Sequence, residues 1–209
     1  MNEHPSSDVA FTPVVKEIQR QRGSRPTYER MEAQGGFYTE IDERLATFIA
    51  NLNSFYLGTA NTSGQPYIQH RGGPPGFLRI LDKKTLGFAD FSGNRQHISM
   101  GNLAENDKVC LFLMDYVNRE RIKIWGRARV ETDPTVIEKL MPVNYRAKPE
   151  QAIVITIEAW DGNCPQHIPH LVPYSELEQT RAVLEKRIAE LEAELKKARS
   201  GKGVFGENP

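Results

Sequence analysis

The spacing of apolar residues changes along the chain: helical at first, alternating through the middle, and helical again at the end. Val14, Val15 and Ile18 fall on one face of a helix over 14–20, which Gly23 and Pro26 close. Residues 1–13 are polar and proline-containing and read as a loose arm, and Gly35-Gly36 marks the next break. Thr39 is the predicted N-cap of a second helix, with Asp42 and Glu43 in its electropositive first turn. Ile41, Leu45, Phe48, Ile49 and Leu52 recur at helical spacing and give that helix one apolar face, suited to covering the end of a sheet.

From Ser54 the period becomes two. SFYLGTAN and QPYIQHR are β-prone runs around a TSG turn, which predicts a hairpin. GGPPG is too rich in Gly and Pro for a strand and reads as a loop or bulge. FLRIL alternates, DKK turns, and TLGFADF is the next strand. Ser92-Gly93-Asn94 leads into a short helix over 95–103. VCLFLMDY is an almost unbroken apolar run, which predicts a strand buried on both faces. NRE turns into RIKIWGRARVE, where Ile122, Ile124, Gly126 and Ala128 face one way. Asp133-Pro134 opens a helix through Leu140, and AIVITIEAW is the last strand. About six or seven mostly antiparallel strands joined by short turns favour a closed or partly closed barrel with peripheral helices.

The end of the chain is different again. Leu177, Leu184 and Leu191 recur every seven residues, Ile188 and Leu195 supply the other seam position, and Glu, Lys and Arg fill the rest. Arg181 interrupts the seam. The segment is an amphipathic helix that either lies on the barrel or pairs in a coiled coil, and either arrangement adds to an oligomer interface. The expected organisation is an N-terminal arm and helix over 1–36, a barrel domain over 37–173, a C-terminal helix over 174–200 and a frayed tail over 201–209.

Lys+Arg and Asp+Glu each total 27, so the formal net charge is zero and no global field draws nucleic acid or anionic membrane. The alternating Arg119, Arg121, Lys123, Arg127 and Arg129 lack the aromatic interleaving of a nucleic-acid surface, and Trp125 among them reads as core or interface. Two cysteines, Cys110 and Cys164, make no disulfide framework. The N-terminus lacks the pattern of a signal peptide, and no window approaches the ~18 apolar residues that span a bilayer. A cytoplasmic protein without nucleic-acid or membrane partners is expected.

Three stretches could carry chemistry. Arg71 ends a strand, offers a planar fork of donors suited to phosphate, and precedes Gly72-Gly73, which would let backbone approach a ligand closely; the competing reading is a rim salt bridge. SGNRQHISMGNL places free helix-start amides and Arg95 together, a weak anion signal that an ordinary capped helix would also give. WDGNCPQHIPH spaces Cys164, His167 and His170 like metal ligands, but no fourth ligand or acidic support is evident, so no metal is expected. A Cys164 nucleophile with His167 as its base is a further reading. The preferred one is a loop closing over a flat ring with Trp160, Gln166 and His167.

Together QHRGGPPGFLRILD, GFADFSGNRQHISMGNLAEN, IKIWGRARV and EAWDGNCPQHI resemble the pyridoxamine 5′-phosphate oxidase-like flavoproteins. The resemblance runs from Phe55 to His167 and implies a mainly β (β+α) fold, an FMN-binding split β-barrel with peripheral helices, to which the C-terminal amphipathic helix is added. It also implies a homodimer with FMN in the interface clefts and oxidoreductase chemistry on a small-molecule substrate. Carried over by residue, Gln69, His70 and Arg71 would line the flavin and its ribityl phosphate. Asp90 and Phe91 would lie along the ring or ribityl chain, and Asn94 and Arg95 on the phosphate. Trp160, Asn163, Gln166 and His167 would approach the flavin across or beside the interface. HRGGPPG and SGNRQ stand where the vitamin B6 oxidases carry more basic motifs, so the resemblance extends to flavin binding rather than to that substrate. A non-catalytic flavin module, or one holding haem or a deazaflavin, is the alternative.

Overall fold

A computed structural model describes residues 4–163 and 165–201, with only the backbone of Asn163, Ser200 and Gly201. Two compact units are present: Met1–Asp115 with Arg119–Ile168, and Tyr116–Asn118 with Pro169–Pro209.

In the first unit seven strands form one antiparallel sheet: β1 (Ser54–Ala60), β2 (Pro66–Gly72), β3 (Arg79–Asp82), β4 (Thr85–Phe91), β5 (Lys108–Asp115), β6 (Glu120–Glu131) and β7 (Pro149–Asn163). Their order is β2-β1-β5-β6-β7-β4-β3. The predicted hairpin is β1 with β2, in register from Ser54 opposite Gly72 to Ala60 opposite Pro66. TLGFADF is β4, and β6 buries Ile122, Ile124 and Ala128 as its period-two pattern requires.

One strand differs from its expectation. Along β5 buried and half-buried residues alternate, so it is sealed on a single face. The strands covered on both faces are β4 and β7, because helix α5 (Pro134–Leu140) lies outside them. Leu140 sits so close over Gly87 that a Cβ there would meet it at 3.0 Å, which is why that position of β4 has no side chain. Asp133 caps α5 through the Thr135 amide, with Pro134 at the first helical position, as the Asp-Pro pair predicts.

Helix α3 (Glu43–Asn51) drives Leu45, Phe48 and Ile49 into the main core, but its cap is Asp42, which accepts from the Leu45 amide at 2.8 Å, rather than Thr39. The 37–40 segment instead runs extended beside β7: Tyr38 and Trp160 exchange backbone hydrogen bonds of 3.2 and 2.8 Å. Helix α4 (Ile98–Glu105) begins three residues later than the sequence pattern suggests.

The N-terminal residues are docked rather than loose. A short 3₁₀ helix (Ser6–Val9) buries Ser7, and helices α1 (Pro13–Gln21) and α2 (Arg25–Ala33) follow. The face of α1 turned inward is polar: Gln19 is buried, while Val14 and Ile18 are exposed. Arg25 is buried and ion-paired with Glu32, and Lys16 reaches both Glu32 (3.2 Å) and Asp8 (2.6 Å). This network outweighs the apolar pattern because a buried guanidinium must have its partners. Phe11 packs edge-on to Phe37, which stacks on Trp125 of β6 at 5.3 Å.

The second unit carries α6 (Tyr174–Gly201), whose heptad leucines are exposed, as are Leu171 and Val172 ahead of it. Among the described residues no helix is long and apolar enough to cross a membrane.

Two outcomes test this packing. A Cβ on Gly126, at the bulge where β6 shifts register against β7, would lie 2.3 Å from the Thr156 carbonyl oxygen. Gly126→Ala is therefore expected to cost roughly 1–3 kcal/mol in urea unfolding. Burial pushes the Glu32 carboxyl up, but Arg25 and Lys16 together hold it below its ordinary 4.5. Its contribution is thus present above pH 4.5 and lost as pH falls through the lowered value. Glu32→Gln should lower the melting temperature at pH 7, and its deficit against the parent should shrink below pH 4.5.

Candidate functional site

Strands β2 and β4 are separated by β1, β5, β6 and β7 in the sheet, yet their ends meet through side chains. Alternation along β2 turns Tyr67, Gln69 and Arg71 to one face and leaves Ile68 and His70 on the other. On β4 the same rule puts Asp90 on the core face with Leu86 and Phe88. Arg71 and Asp90 form an ion pair there, with side chains 11% and 10% exposed. The guanidinium lies 5.7 Å from the centroid of the Phe88 ring.

The second Asp90 oxygen accepts from Gln151 Nε2 at 2.9 Å, and the same amide nitrogen lies 2.8 Å from Met100 Sδ. Ser99 Oγ donates to Gln69 Oε1 at 2.7 Å, and Asn102 Nδ2 donates to Thr59 Oγ1 at 2.9 Å. The start of α4 is thereby tied to β2, β7 and β1 at once. Of the three buried side-chain nitrogens without a partner among the described residues (Nε of Arg71, Arg79 and Arg121), Arg71 Nε belongs to this cluster.

The loop over 92–97 leads into α4. The Ser92 amide is anchored on the Lys148 carbonyl at 3.0 Å, and Asn94 Oδ1 accepts from the Gln96 amide at 3.3 Å. Arg95 (φ 58°) and His97 (φ 54°) are both left-handed, a conformation that costs a non-glycine residue on the order of 1 kcal/mol or more. Two left-handed residues flanking one that is not are a backbone pattern that anion-binding nests use, and the Gln96 amide between them is taken by Asn94. The first bond from the helix start is Gly101 N–H to the His97 carbonyl at 2.9 Å, so the preceding first-turn amides have no partner within the helix.

Two adjoining cavities result. One of about 50 Å³ is bounded by Gln69, Arg71, Asp90, Asn94, Arg95 and Glu150, among others. The other, of about 200 Å³, lies between Arg71, Phe77, Phe88 and Phe91.

Gln69, Arg71, Asp90, Phe91, Asn94 and Arg95 are thus brought together. His70 borders the larger cavity, but its ring packs against Tyr56 at 5.6 Å and over Gly72. The space freed by Gly73 is taken by Phe77, whose Cβ would lie 2.7 Å from an added Cβ, so these glycines admit the chain's own side chains rather than a ligand.

Trp160 is elsewhere. It is fully buried in the core, donates its indole N–H to the Glu40 carbonyl at 2.7 Å and stacks on Tyr38 at 4.5 Å. Asp90 pairs with Gln151 at the near end of β7. Trp160 and Asn163 are at the far end, roughly 30 and 40 Å along the strand by its rise per residue. Gln166 and the left-handed His167 follow there, exposed. Beside them, burial pushes the Asp161 carboxyl up, against the pull of Lys123 and Arg44. Cys164 lies outside the described residues, and Cys110 is a half-buried thiol that burial pushes up, which makes it a poor nucleophile. Among the described residues no three His, Cys, Asp or Glu side chains gather as a metal site.

Gln151, Ser99, Met100, Glu150 and His97 are site residues that the sequence pattern did not single out. A polar Gln just ahead of an apolar strand, AIVITIEAW, was the available signal for Gln151.

A family model described as pyridoxamine 5′-phosphate oxidase matches residues 41–164, more than half of the chain. No curated protein sequence matches it. Solved structures similar to it include an FMN-binding protein from Syntrophomonas wolfei subsp. wolfei (13% identity, 71% of this chain and 96% of that one, TM-score 0.48). HupZ of Group A Streptococcus is another (19% identity, 63% and 99%, TM-score 0.47). A third is a protein from Clostridium acetobutylicum related to general stress protein 26 of B. subtilis, of the pyridoxinephosphate oxidase family (18% identity, 65% and 99%, TM-score 0.45).

The ion pair gives a direct test. Asp90→Ala leaves the Arg71 charge buried and unpaired and should cost about 3–5 kcal/mol in urea unfolding, whereas Arg71→Met with Asp90→Leu should recover most of that loss. A single-variant cost under about 1 kcal/mol would show that the pair does not hold the strand ends together.

Proposed function

The chain belongs to the pyridoxamine 5′-phosphate oxidase family, and on that premise we propose that it is an FMN-binding flavoprotein, an oxidoreductase acting on a small-molecule substrate. The observation that carries the reading is the continuity of the Arg71–Asp90 cavity with the left-handed loop at the start of α4. A flavin mononucleotide needs both features: a partly apolar wall for the ring and a concentration of donors for the phosphate.

Arg95, the loop amides other than those of Ser92 and Gln96, and the first turn of α4 would hold the phosphate. Arg71 is already neutralised by Asp90, so its unpartnered Nε suits a neutral acceptor, such as a ring carbonyl or ribityl hydroxyl. Phe77, Phe88 and Phe91 would supply apolar wall. Gln151 and Arg71 hold Asp90 as a fixed hydrogen-bond acceptor rather than a mobile base. The flavin when bound supplies the hydride and electron chemistry, and the side chains supply position and electrostatics.

Each cavity is smaller than the roughly 300–1,000 Å³ of pockets for ligands of this size, which supports a site completed by a second copy of the chain. Trp160 being fixed in the core, the residues at the far end of β7 open to such a role are Asn163, Gln166 and His167, contributed by the other copy. Assembly is thus a homodimer on this reading, consistent with the zero net charge.

The visible spectrum of the purified protein, with mass identification of the released cofactor, is expected to show a bound flavin. An intense Soret band, or a protein that stays colourless and leaves the fluorescence of added FMN unquenched, would overturn the reading. Arg95→Ala should weaken FMN by about tenfold, about 1.4 kcal/mol, and riboflavin hardly at all. Equal losses for the two would remove Arg95 from the phosphate.

A further inference from the structure

Helix α6 presents an apolar stripe to solvent. Leu177, Leu184, Ile188, Leu191 and Leu195 are each between 46% and 57% exposed, on a helix of 28 residues. A lone helix of this kind is marginal in water, because its stability comes from packing the stripe. We propose that α6 pairs in parallel and in register with α6 of a second copy of this chain, as a two-stranded coiled coil.

The heptad fixes the assignment. Leu177, Leu184 and Leu191 occupy d, and Arg181, Ile188 and Leu195 occupy a. Leucine at every d with the β-branched Ile188 at the central a favours two strands over three or four. Arg181 is a polar a position, which lowers stability but restricts register, and its charge is met on its own helix by Glu185 at 3.0 Å.

The flanking charges choose the orientation. In a parallel pair each g residue faces the e residue of the following heptad on the other helix. Arg187 of one copy then faces Glu192 of the other, and Glu194 faces Arg199, each contact occurring twice by symmetry. Thr180 opposite Glu185 is neutral, so no like charges meet at the flanking positions; the two Arg181 side chains meet at a, each beside Glu185 of its own helix. An antiparallel pair with the same seam would instead set Glu185 against Glu192, twice. Arg187 bonds Glu190 on its own helix at 3.1 Å, and such an exposed pair exchanges partners at little cost.

Site-specific crosslinking of the full chain tests the proposal. Leu191→Cys places thiols face to face at a d position, whereas Ala193→Cys places them on the outer face. Under mild oxidation the Leu191→Cys chain should give a covalent dimer at least tenfold faster than Ala193→Cys, with the wild-type chain and its Cys110 and Cys164 as background. Equal rates, or no dimer above background, would overturn the coiled coil. Faster crosslinking of a Leu184→Cys and Leu195→Cys mixture than of Leu191→Cys alone would overturn its parallel orientation. Leu191→Cys in the presence of reductant should retain the parent's helical circular dichroism, which separates loss of pairing from loss of folding.

Discussion

The barrel is closed by a side-chain bridge, and the rest of the structure follows from that. Were β2 and β4 joined by a backbone ladder, their axes would stand about 4.8 Å apart and nothing could enter between them. They are joined through Arg71 and Asp90, a full side chain from each, so the two strands stay apart and the gap becomes the cavity. The same bridge explains the polar groups around it. A buried ion pair is tolerable only when its remaining lone pairs are satisfied, and Gln151 does this for Asp90 while the Phe88 ring faces the guanidinium.

Helix α4 is part of this closure rather than an ornament on it. Its first two turns are bonded to Gln69 on β2, Gln151 on β7 and Thr59 on β1, elements at very different places in the sheet order. Fixing the helix in this way fixes the direction in which its amides point, and the left-handed Arg95 and His97 before it are held against their intrinsic preference. Strain at a polar cavity, in residues over-determined by their surroundings, is where a preorganised binding surface is expected.

What the sequence made legible was whatever short-range physics decides. The β1–β2 hairpin, β4, the face of β6 and the Asp133–Pro134 start of α5 follow from turn chemistry and period-two burial, with no knowledge of distant residues. The failures all have a long-range cause. α1 shows an apolar face in sequence but buries Gln19, because Arg25, Glu32 and Lys16 gather beneath it from two helices. Thr39 is a good cap by type, but the exchange of backbone bonds between Tyr38 and Trp160 extends the chain past it and leaves the role to Asp42. Trp160 reads as a ring platform until β7 is seen to be 15 residues long, with its near end at Asp90 and its far end under Tyr38. Arg71, Asp90, Asn94 and Arg95 stand out in the sequence because each lies near a strand end or a helix start with a charge or amide to spare; Gln151 and Ser99 do not, since they bond Asp90 and Gln69 across 30 or more positions of sequence.

Charge balance separates the work of the two arginines. The cavity wall carries Arg71 and Arg95 against Asp90 and Glu150, so it is not a strongly positive pocket. Arg71 spends its charge on Asp90 inside the fold, and a second anion brought to it would compete with a carboxylate already in contact. Arg95 is exposed on the left-handed loop and lines the smaller cavity. A dianionic group is therefore held better at the loop, where backbone dipoles carry no counter-charge to displace, and a neutral acceptor better at Arg71. On this division a single molecule with a phosphate at one end and a carbonyl-bearing ring at the other matches both halves of the wall, whereas inorganic phosphate or an uncharged ring alone would satisfy only one.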